Sequence, residues 1–377
     1  MKKVLILGNP DDVILSRYVD AIQQVDEFQI TVMTLKHEFS YKKYYEELGV
    51  KLIKTIPSLG RIANIPLISN IFRRAYYHLY LFPFLIWKRF DYIHVHTMAE
   101  FSLFLARNIL GSSKLICTYW GSDLHRYPSR NSIALWCLNR AEHIVLPTTD
   151  MKTLFMELFD EEYYSKLTIV KFGVNGFQYI DQIKTKFTVE ACKRKLGISP
   201  ELITVAIGYN AYKEQQHMAV LQSIAGLSQE YRSRIAIVLQ MTYGDKSGEY
   251  ILSIRKELER LGCRYVILEE YLDNLDVACL RYATDIFIHA QISDALCATI
   301  QEYLYAGTTV LNPKWIRYTD LKQNDIIYHE YSDFSDLSIQ MKHLLAGPLQ
   351  RIVINAESLL KLSSWSEVAK DWAKLYS

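Results

Sequence analysis

The sequence predicts an α/β protein made of two doubly wound, Rossmann-like domains with a central cleft between them. Short runs of β-branched and aromatic residues alternate with segments of helical periodicity along most of the chain. This alternation stops once, in a polar and lysine-rich stretch at 176–200, and then starts again. We therefore expect one domain at 1–178 and a second at 179–355, followed by an amphipathic helix within 356–377.

The composition is that of a folded protein with two cores. The chain has 377 residues, of which 50% are hydrophobic and 22% are charged. Its formal net charge is only +2, which gives no global signal for binding a polyanion. We therefore expect no nucleic-acid partner.

Cysteine usage and the amino-terminal residues indicate the compartment. Six cysteines are scattered without a C-x-x-C pair and without a histidine at metal-site spacing, so they read as small buried hydrophobes in a reducing environment. The opening MKKVLILGNP reads as a first strand and not as a signal peptide. No run reaches the roughly 18 apolar residues of a membrane-spanning helix. We expect a cytoplasmic protein.

The first domain supplies two candidate catalytic residues at strand ends. His96 closes the strand at 91–96, and Asp123 follows the strand at 114–119 within WGSDLHR. Ligands of open α/β sheets bind beyond the carboxyl ends of strands, so we expect both side chains, with His125, to face the cleft. The structural alternatives are a packed strand-end histidine and a turn or cap aspartate. The first strand lacks the G-x-G-x-x-G fingerprint, which disfavours a nicotinamide oxidoreductase.

The stretch 59–90 mixes basic residues with many aromatic and aliphatic ones. Cations at anionic headgroups and rings at the acyl boundary are what an interfacial membrane element needs, so this stretch is a candidate membrane contact. A long core helix carrying a few surface arginines is the equally weighted alternative.

The second domain contains the most informative stretch of the sequence, 291–312, which follows the strand-like TDIFIH. Ser293 and Asp294 are natural helix N-caps, and Gly307 lies where the helix should stop. Asp294 is in the loop and Glu302 is inside the helix. Three apolar residues share one face at helical spacing: Leu296, Ile300 and Leu304.

The start of this helix suits an anionic ligand. A helix N-terminus offers free N–H groups and a positive dipole end to a diphosphate, and small residues there leave space for it. The Glu302 carboxylate, further along, is a good acceptor for paired sugar hydroxyls. The alternative for Glu302 is a solvated helix edge with no binding role.

This unit resembles the acid-x7-acid donor loop of GT-B glycosyltransferases, in particular the retaining family that includes glycogen and sucrose synthases. Both acids are usually Glu in that family and the loop is rich in glycine, whereas here the first acid is Asp294 and the glycines are absent. GYNAYKEQQH stands where the family has a Gly followed by an Arg and a Lys that grip the donor diphosphate. The resemblance implies close backbone approach at Gly208 and a cation at Lys213, with Tyr209 in the Arg position.

Two further pieces extend the resemblance. The closing SWSEVAKDW is similar to the terminal helices of the family, which implies that 356–377 crosses back onto the first domain. WGSDL and MTYGD resemble motifs of bacterial Fuc4NAc (4-acetamido-4,6-dideoxygalactose) transferases, which act on a polyprenyl-diphosphate-linked glycan. This second similarity implies a peripheral location on the inner face of the plasma membrane.

Together the resemblances imply a glycosyltransferase of hexosyltransferase type in bacterial cell-surface glycan synthesis, with a nucleotide-diphosphate sugar donor and a lipid-linked or polysaccharide acceptor. In an inverting reaction the candidate base is Asp123, with His96 as the second candidate. In a retaining reaction Asp123 would only orient the acceptor. No cofactor and no metal are expected, and Glu302→Ala should impair turnover while leaving the fold intact. The expected donor-binding residues are Gly208, Asn210, Lys213, Tyr243, Asp294, Leu296, Thr299 and Glu302.

Two alternatives share the same fold. A nucleotide-sugar 2-epimerase would need no acceptor, and a non-catalytic partner subunit would accommodate the altered Arg and glycine positions. The sequence leaves open the sugar, the base, the linkage and the stereochemistry. Trp120 and Asp123 favour inversion, while the acid-x7-acid loop favours retention.

Overall fold

The computed structural model describes residues 1–34, 39–54, 75–126, 128–245 and 247–377. Within these ranges the chain divides into two compact units. Unit 1 consists of Met1–Gly173 together with Trp365–Ser377, and unit 2 consists of Val174–Ser364. The sequence placed these divisions at 178 and 355, a few residues after the first observed division and before the second.

Unit 1 contains a seven-stranded sheet in the order β3-β2-β1-β4-β5-β6-β7, and every neighbouring pair is parallel. The strand order reverses between β1 and β4, so the carboxyl ends of these two strands form a topological switch point. The strands are β1 (Lys2–Leu7), β2 (Phe28–Thr34), β3 (Lys51–Lys54), β4 (Tyr92–Val95), β5 (Lys114–Thr118), β6 (Ala141–Leu146) and β7 (Leu167–Ile169).

The helices of unit 1 begin where the sequence offers caps. Asp12, Asn131 and Thr148 each accept a backbone N–H of the first turn that follows. The described helices are α1 (Val13–Gln23), α2 (Lys42–Glu47), α3 (Phe82–Lys88), α4 (Glu100–Ile109), α5 (Ser122–His125), α6 (Ser132–Arg140) and α7 (Thr149–Leu158), with a 3-10 turn at Glu161–Lys166.

The stretch predicted as a membrane contact, 59–90, lies partly outside the described residues, which resume at 75. From Tyr77 to Leu81 the backbone forms a π-helical turn that runs directly into α3, where Pro83 occupies the first turn. Within the described part of the chain, no helix is long and apolar enough to cross a bilayer.

Unit 2 contains a six-stranded parallel sheet in the order β10-β9-β8-β11-β12-β13. Its order reverses between β8 and β11, which gives this unit a switch point of its own. The strands are β8 (Ile203–Ile207), β9 (Ile235–Gln240), β10 (Arg264–Leu268), β11 (Ile286–Ile288), β12 (Thr309–Pro313) and β13 (His329–Tyr331).

Two helices open unit 2 where the sequence predicted a linker and one entry helix. The lysines suggested a linker, but three apolar side chains at helical spacing, Phe177, Ile180 and Ile183, are buried. The helices of unit 2 are α8 (Gly176–Lys186), α9 (Val189–Lys195), α10 (His217–Ala225), α11 (Gln229–Ser233), α12 (Glu249–Leu261), α13 (Asn274–Ala283), α14 (Ala298–Ala306), α15 (Thr319–Gln323), α16 (Phe334–Ala346) and α17 (Asn355–Ser363), with a 3-10 turn at Lys213–Gln215.

The last helix, α18 (Trp365–Lys374), belongs to unit 1. The Trp372 ring is fully buried, packs edge-on against Tyr18, and donates its indole N–H to the Lys171 carbonyl at 2.7 Å. Gly173 leaves the space that Trp365 fills, since a Cβ there would overlap its indole ring. The carboxyl-terminal helix is therefore an integral part of the unit 1 core.

Candidate active site

The switch point of unit 2 is built around Gly208, directly after β8. Its φ of +61° is in the left-handed region, which favours glycine. A Cβ here would lie 2.7 Å from His217 Nε2 and 2.9 Å from Gln215 Oε1. Glycine is thus required both by the backbone conformation and by the close approach of two polar side chains.

A second loop, which follows β9, holds the Gly208 loop in place. The Ala211 N–H donates to the Tyr243 carbonyl at 2.7 Å, and Gly244, at φ +124°, allows this approach because a Cβ would meet the Ala211 backbone. Asn210 is buried, and its Oδ1 accepts the Tyr212 N–H at 2.9 Å. The predicted residues Gly208, Asn210 and Tyr243 therefore lie together.

Lys213 begins the 3-10 turn beside this loop, and its side chain is exposed. Beside it, the Tyr212 and Tyr243 rings pack edge to face with centroids 6.3 Å apart, and each tyrosine is about half exposed. An exposed cation in the same loop as one of these aromatic rings can meet the phosphate of a ligand while the rings pack against it.

The loop after β11 differs from the prediction. Ser293 and Asp294 do not cap the helix; α14 begins at Ala298 with Cys297 in the N-cap position. The backbone is irregular here because Leu296 adopts φ +64°, which turns the chain one residue before the cap. The prediction for the other end is confirmed, since Gly307 ends α14 at φ +88°.

Asp294 orders this loop from within. Its Oδ2 accepts the Cys297 N–H at 3.0 Å and the Tyr318 hydroxyl at 2.5 Å. Leu296 is buried, whereas Thr299 is half-buried in the first turn of α14. The first turn of a helix has backbone N–H groups without intrahelical partners, so Thr299 lies where an anion would bind.

Glu302 lies inside α14, as predicted, but it is paired with Arg281 of α13. Arg281 Nε and Glu302 Oε2 are 3.0 Å apart, and their side chains are 3% and 13% exposed. Arg281 also donates to Gln240 and Tyr303, and Gly176 leaves room for the Glu302 carboxylate, which a Cβ there would overlap. We therefore expect Glu302→Ala to lower the stability of unit 2 as well as to impair turnover, because the substitution would leave a buried cation without its counter-charge.

The loops after β8 and β11 are joined across the switch point. Tyr209, which occupies the predicted Arg position, donates its hydroxyl to Gln291 Oε1, and Gln215 Nε2 donates to the same oxygen at 3.2 Å. Gln216 Nε2 donates to the Ala290 carbonyl at 2.6 Å. These bonds fix the spacing of the two predicted donor-binding loops.

Several buried polar atoms around this switch point have no hydrogen-bond partner within the described chain. They are Gln215 Oε1, His217 Nε2, His289 Nε2 and Gln301 Oε1. Buried polar atoms are nearly always paired, and one that is not needs an explanation. A polar ligand at the carboxyl ends of β8 and β11 is the simplest explanation.

Burial sets the ionisation of this region. It lowers the pKa of His217 to about 4, so that imidazole is neutral at pH 7. Burial, and then the neighbouring Cys297 and Asp294, raises the pKa of the Tyr209 phenol. Tyr318 is similar, with burial first and the Asp294 charge second raising its pKa. Both phenols therefore remain hydrogen-bond donors.

Unit 1 uses Asp123 to hold a turn. Its Oδ1 accepts the N–H groups of Trp120 and Gly121, each at 2.9 Å, while Oδ2 lies 3.4 Å from the Met98 nitrogen. Burial raises the pKa of the Asp123 carboxyl, and these N–H groups oppose the shift. Asp123 is half-buried shortly after the end of β5. Its Oδ2 makes only the longest of these three contacts, so Oδ2 is the oxygen more available to a ligand.

His96 is almost completely buried, at 1% exposure. Its ring lies against Tyr18 and Trp120, with centroids 4.9 Å and 4.8 Å away, and its Nε2 has no partner within the described residues. Burial, and then the neighbouring His94, lowers the pKa of His96 well below its usual value. Trp120 thus stands between the two predicted catalytic residues, His96 and Asp123.

The switch point of unit 1 carries an apolar cavity of about 200 Å³. Gly8 and Pro10 line one side, and Phe101 and Leu105 of α4 line the other. Thr97 and Ala99 lie at its edge, where β4 leads into α4. An apolar group of moderate size fits such a cavity.

The sequence identified candidate site residues but not the side chains that contact them in the fold. Arg281, His217 and His289 act through tertiary contacts across the sheet, which spacing along the chain does not show. His289 and Cys297 had a visible signal, since both lie within the stretch 289–297 that contains Asp294.

No model of a known protein family matches the sequence, and no curated protein matches it. Solved structures do resemble the whole chain. A glycosyltransferase from Rickettsia africae gives a TM-score of 0.70 at 16% identity, covering 100% of this chain and 97% of that one. HepE from Anabaena, solved with UDP and glucose, gives 0.67 at 15% identity and covers 99% of each chain. The lipopolysaccharide outer core galactosyltransferase WaaB gives 0.67 at 12% identity, with 100% and 99% covered.

These neighbours confirm the predicted fold class. The chain has the GT-B fold, with two parallel-sheet Rossmann-like units of seven and six strands.

Proposed function

We propose that the chain is a glycosyltransferase that moves a sugar from a nucleotide-diphosphate donor to a lipid-linked or polysaccharide acceptor. The observation that carries the proposal is the set of unpartnered buried polar atoms at the switch point of unit 2, between the two loops predicted to bind the donor. HepE, which has the same fold, is described in complexes with UDP and with UDP-glucose. A nucleotide sugar is the ligand that such a site would take.

Each loop contributes a distinct part of donor binding. The Gly208 turn would let the backbone approach the diphosphate, and the exposed Lys213 would supply a cation. Thr299, in the first turn of α14, would place free N–H groups at the phosphates. The departing diphosphate is the group whose charge grows in the transition state, so these contacts would stabilise it.

The remaining predicted residues would recognise the sugars and the base. Asp294, already fixed by Tyr318, would accept hydroxyls of the transferred sugar through Oδ1, with Leu296 shaping the loop. Glu302 keeps acceptor capacity on Oε1 for ribose hydroxyls while Arg281 holds Oε2. Tyr243, with its half-exposed ring beside Asn210, would pack against the donor.

The acceptor would bind to unit 1. Its apolar cavity at the carboxyl ends of β1 and β4 suits the hydrophobic part of a lipid-linked acceptor. Large apolar side chains project from the π-helical turn and α3, with Leu79 80% and Trp87 78% exposed, beside the basic Lys88 and Arg89. Apolar groups next to cations favour an anionic membrane surface, so we place the enzyme peripherally on the inner face of a bacterial plasma membrane.

The stereochemistry and subfamily belong to the same proposal. The acid-x7-acid pair supports a retaining reaction, in which the departing phosphate takes the acceptor proton and Asp123 orients the acceptor. The resemblance of WGSDL and MTYGD to the Fuc4NAc transferases favours a polyprenyl-diphosphate-linked glycan as the acceptor. Proton NMR of the product anomer distinguishes retention from inversion.

The test is nucleotide release from a panel of nucleotide sugars, with and without bacterial lipid extract. We expect lipid-dependent release from one donor, and a loss of about 10- to 100-fold in kcat/KM for Lys213→Ala, the value of one charged contact. Lys256→Ala, which removes an exposed lysine from α12, is the matched control. Lipid-independent conversion of the donor would instead favour the 2-epimerase, and no release with no donor binding would favour a non-catalytic subunit.

A further inference from the structure

Two buried cysteines of unit 2 lie together where α9 packs against α13. Cys192 of α9 and Cys279 of α13 are 1% and 2% exposed, and both thiols are free. Cys279 Sγ is 3.9 Å from the Cys192 carbonyl oxygen. Neither residue belongs to the loops of the proposed donor site, so donor binding does not explain why two thiols meet here.

The two thiols differ in acidity. The Cys279 thiol, as a hydrogen-bond donor to the Cys192 sulfur, lowers the pKa of Cys192 more than burial raises it, and the charges of Lys195 and Arg351 lower it further. The same hydrogen bond, and then burial, raises the pKa of Cys279. The shared proton is therefore held on Cys279, and Cys192 is the sulfur more readily present as a thiolate.

A neighbouring pair of cysteines in unit 1 lacks this asymmetry. Cys117 of β5 and Cys137 of α6 are completely buried. Burial raises the pKa of both thiols, that of Cys137 to about 11, and Cys137 donates to the Leu103 carbonyl at 3.6 Å. These two behave as the small buried hydrophobes that the sequence predicted, which makes them a natural control for the pair in unit 2.

An exposed ion pair lies beside the thiols of unit 2. Lys195 Nζ and Asp276 Oδ1 are 2.6 Å apart, and the two side chains are 54% and 33% exposed. Lys195 follows Cys192 by three residues and Asp276 precedes Cys279 by three, so each charged residue lies one turn from a cysteine on the same face of its helix. Exposed ion pairs are weak. Opening of this one would give a small neutral molecule a route to the sulfurs.

We propose that Cys192 and Cys279 form a redox modification site, which hydrogen peroxide converts into a disulfide between α9 and α13. The Cys192 thiolate attacks one peroxide oxygen, so that an S–O bond forms, the O–O bond breaks, and the departing hydroxide takes up the proton that Cys192 released. The Cys279 sulfur then attacks the Cys192 sulfur, so that the S–S bond forms and the sulfenic oxygen leaves with the Cys279 proton. The two thiols lose two electrons, and peroxide is reduced to two waters.

The disulfide would tie α9 to the helix that supports the proposed donor site. Besides Cys279, α13 carries Arg281, whose guanidinium pairs with Glu302 of α14. Oxidation would therefore limit the movement of α13 beneath α14. The modification is defined by the two thiols alone, so it stands or falls independently of the proposed function.

The experiment exposes the reduced full chain to hydrogen peroxide and then removes the peroxide with catalase. The remaining thiols are labelled with N-ethylmaleimide in urea, and the peptides are identified by mass spectrometry. We expect one disulfide, between Cys192 and Cys279. The four other cysteines should carry the label: Cys117, Cys137, Cys263 and Cys297.

Two variants test the order of the steps. In Cys279→Ser the disulfide should be lost and the reaction should stop at the sulfenic acid of Cys192, which dimedone traps. In Cys192→Ser the Cys279 thiol should remain free. Cys137→Ser, the matched control at a buried cysteine of unit 1, should leave the disulfide of unit 2 unchanged. Circular dichroism checks that each variant is folded.

Three results would overturn the proposal. The first is that Cys192 and Cys279 both carry the label after peroxide treatment. The second is a disulfide that joins either residue to a different cysteine. The third is equal oxidation of all six cysteines, which would mean that peroxide reaches them only when the whole protein unfolds.

Discussion

The two switch points share a topology and differ in chemistry. In unit 1 the carboxyl ends of β1 and β4 border an apolar cavity of about 200 Å³. In unit 2 the carboxyl ends of β8 and β11 are surrounded by buried polar atoms that lack partners. The parallel sheet therefore fixes where a ligand binds, and the loop residues decide what kind of ligand it is.

The buried histidines also differ in how they are satisfied, but not strictly by unit, because Nε2 of His96 in unit 1 also has no partner within the described residues. His94 of unit 1 is satisfied on both nitrogens, by Tyr376 and Thr118, each at 2.7 Å. His217 and His289 of unit 2 each use Nδ1 and leave Nε2 without a partner in the described chain. An unpartnered buried nitrogen costs stability, so its presence at a binding edge indicates function more strongly than a satisfied one does.

The largest expected effect is on the polar switch point. Glu302→Ala should destabilise unit 2 by about 3–5 kcal/mol, because it leaves the Arg281 guanidinium buried without its counter-charge. Urea unfolding monitored by circular dichroism measures the loss. The double variant Glu302→Ala/Arg281→Met should recover most of it. If the Glu302→Ala variant is as stable as the wild type, the Arg281–Glu302 ion pair contributes nothing to the stability of unit 2.

Acid should weaken unit 1 more than unit 2. Burial lowers the pKa of His94 to about 3, of His96 well below its usual value, and of His217 to about 4. Because each of these histidines stays neutral in the folded state, it takes up a proton only when the protein unfolds at a pH below the unfolded pKa, which is near 6.5. Its contribution to the free energy of unfolding is therefore complete above that pH and decreases as the pH falls below it. About 2 kcal/mol per histidine is lost between pH 7 and pH 5.

We therefore expect unit 1, which holds two of these histidines, to lose about 4 kcal/mol between pH 7 and pH 5, and unit 2 about 2 kcal/mol. Trp315→Phe removes the one tryptophan of unit 2, so that fluorescence then reports unit 1 alone. Urea unfolding of this variant at pH 7 and pH 5 measures how much the free energy of unfolding falls between the two pH values. An equal fall by fluorescence, which reports unit 1, and by circular dichroism, which reports both units, would contradict the prediction that acid weakens unit 1 more.

A smaller effect should separate donor from acceptor binding. Lys213→Ala should raise the donor KM or lower kcat, with kcat/KM down about 10- to 100-fold, and leave stability unchanged because the side chain is exposed. Initial rates over a donor series measure it. A change in the acceptor KM alone would place Lys213 outside the donor site.

The smallest expected effect concerns the apolar switch point. Ala99→Trp, at the exposed edge of the cavity, should fill it and raise the acceptor KM about tenfold, which equals the loss of burial of one small apolar group. The donor KM should not change. Ser112→Trp, placed before the amino end of β5, is the control of equal bulk. An unchanged acceptor KM would show that the cavity does not bind the acceptor.

Hydrophobic periodicity was sufficient to predict the order of the elements. The strands predicted at 91–96 and 114–119 correspond to β4 (Tyr92–Val95) and β5 (Lys114–Thr118), and Gly307 ends α14 as expected. These features depend on residues adjacent in sequence, such as a glycine that adopts the left-handed conformation at the end of a helix. Two doubly wound domains followed because such units repeat in two halves, whereas the GT-B fold was implied by the resemblance of the stretch 291–312 to a known donor loop.

The site was only partly predictable because its partners meet through the fold. Asp294 looked like an N-cap, yet aspartate also orders turns, and the left-handed Leu296 that moves the helix start carries no sequence signal. Arg281 pairs with Glu302 only because α13 and α14 are neighbours. The roles of individual predicted residues remain predictions until the kinetic variants are measured.

The return of α18 to unit 1 has a consequence for how the chain is made. Trp372 and Tyr376 are buried in unit 1, but both residues are synthesised only after the whole of unit 2. At about 5–20 residues per second, the stretch 174–364 takes roughly 10–40 s to synthesise. During this time the seven-stranded sheet of unit 1 has no α18 to pack against. Unit 2 can close on itself before unit 1 is complete, so the domain that begins first should finish folding last.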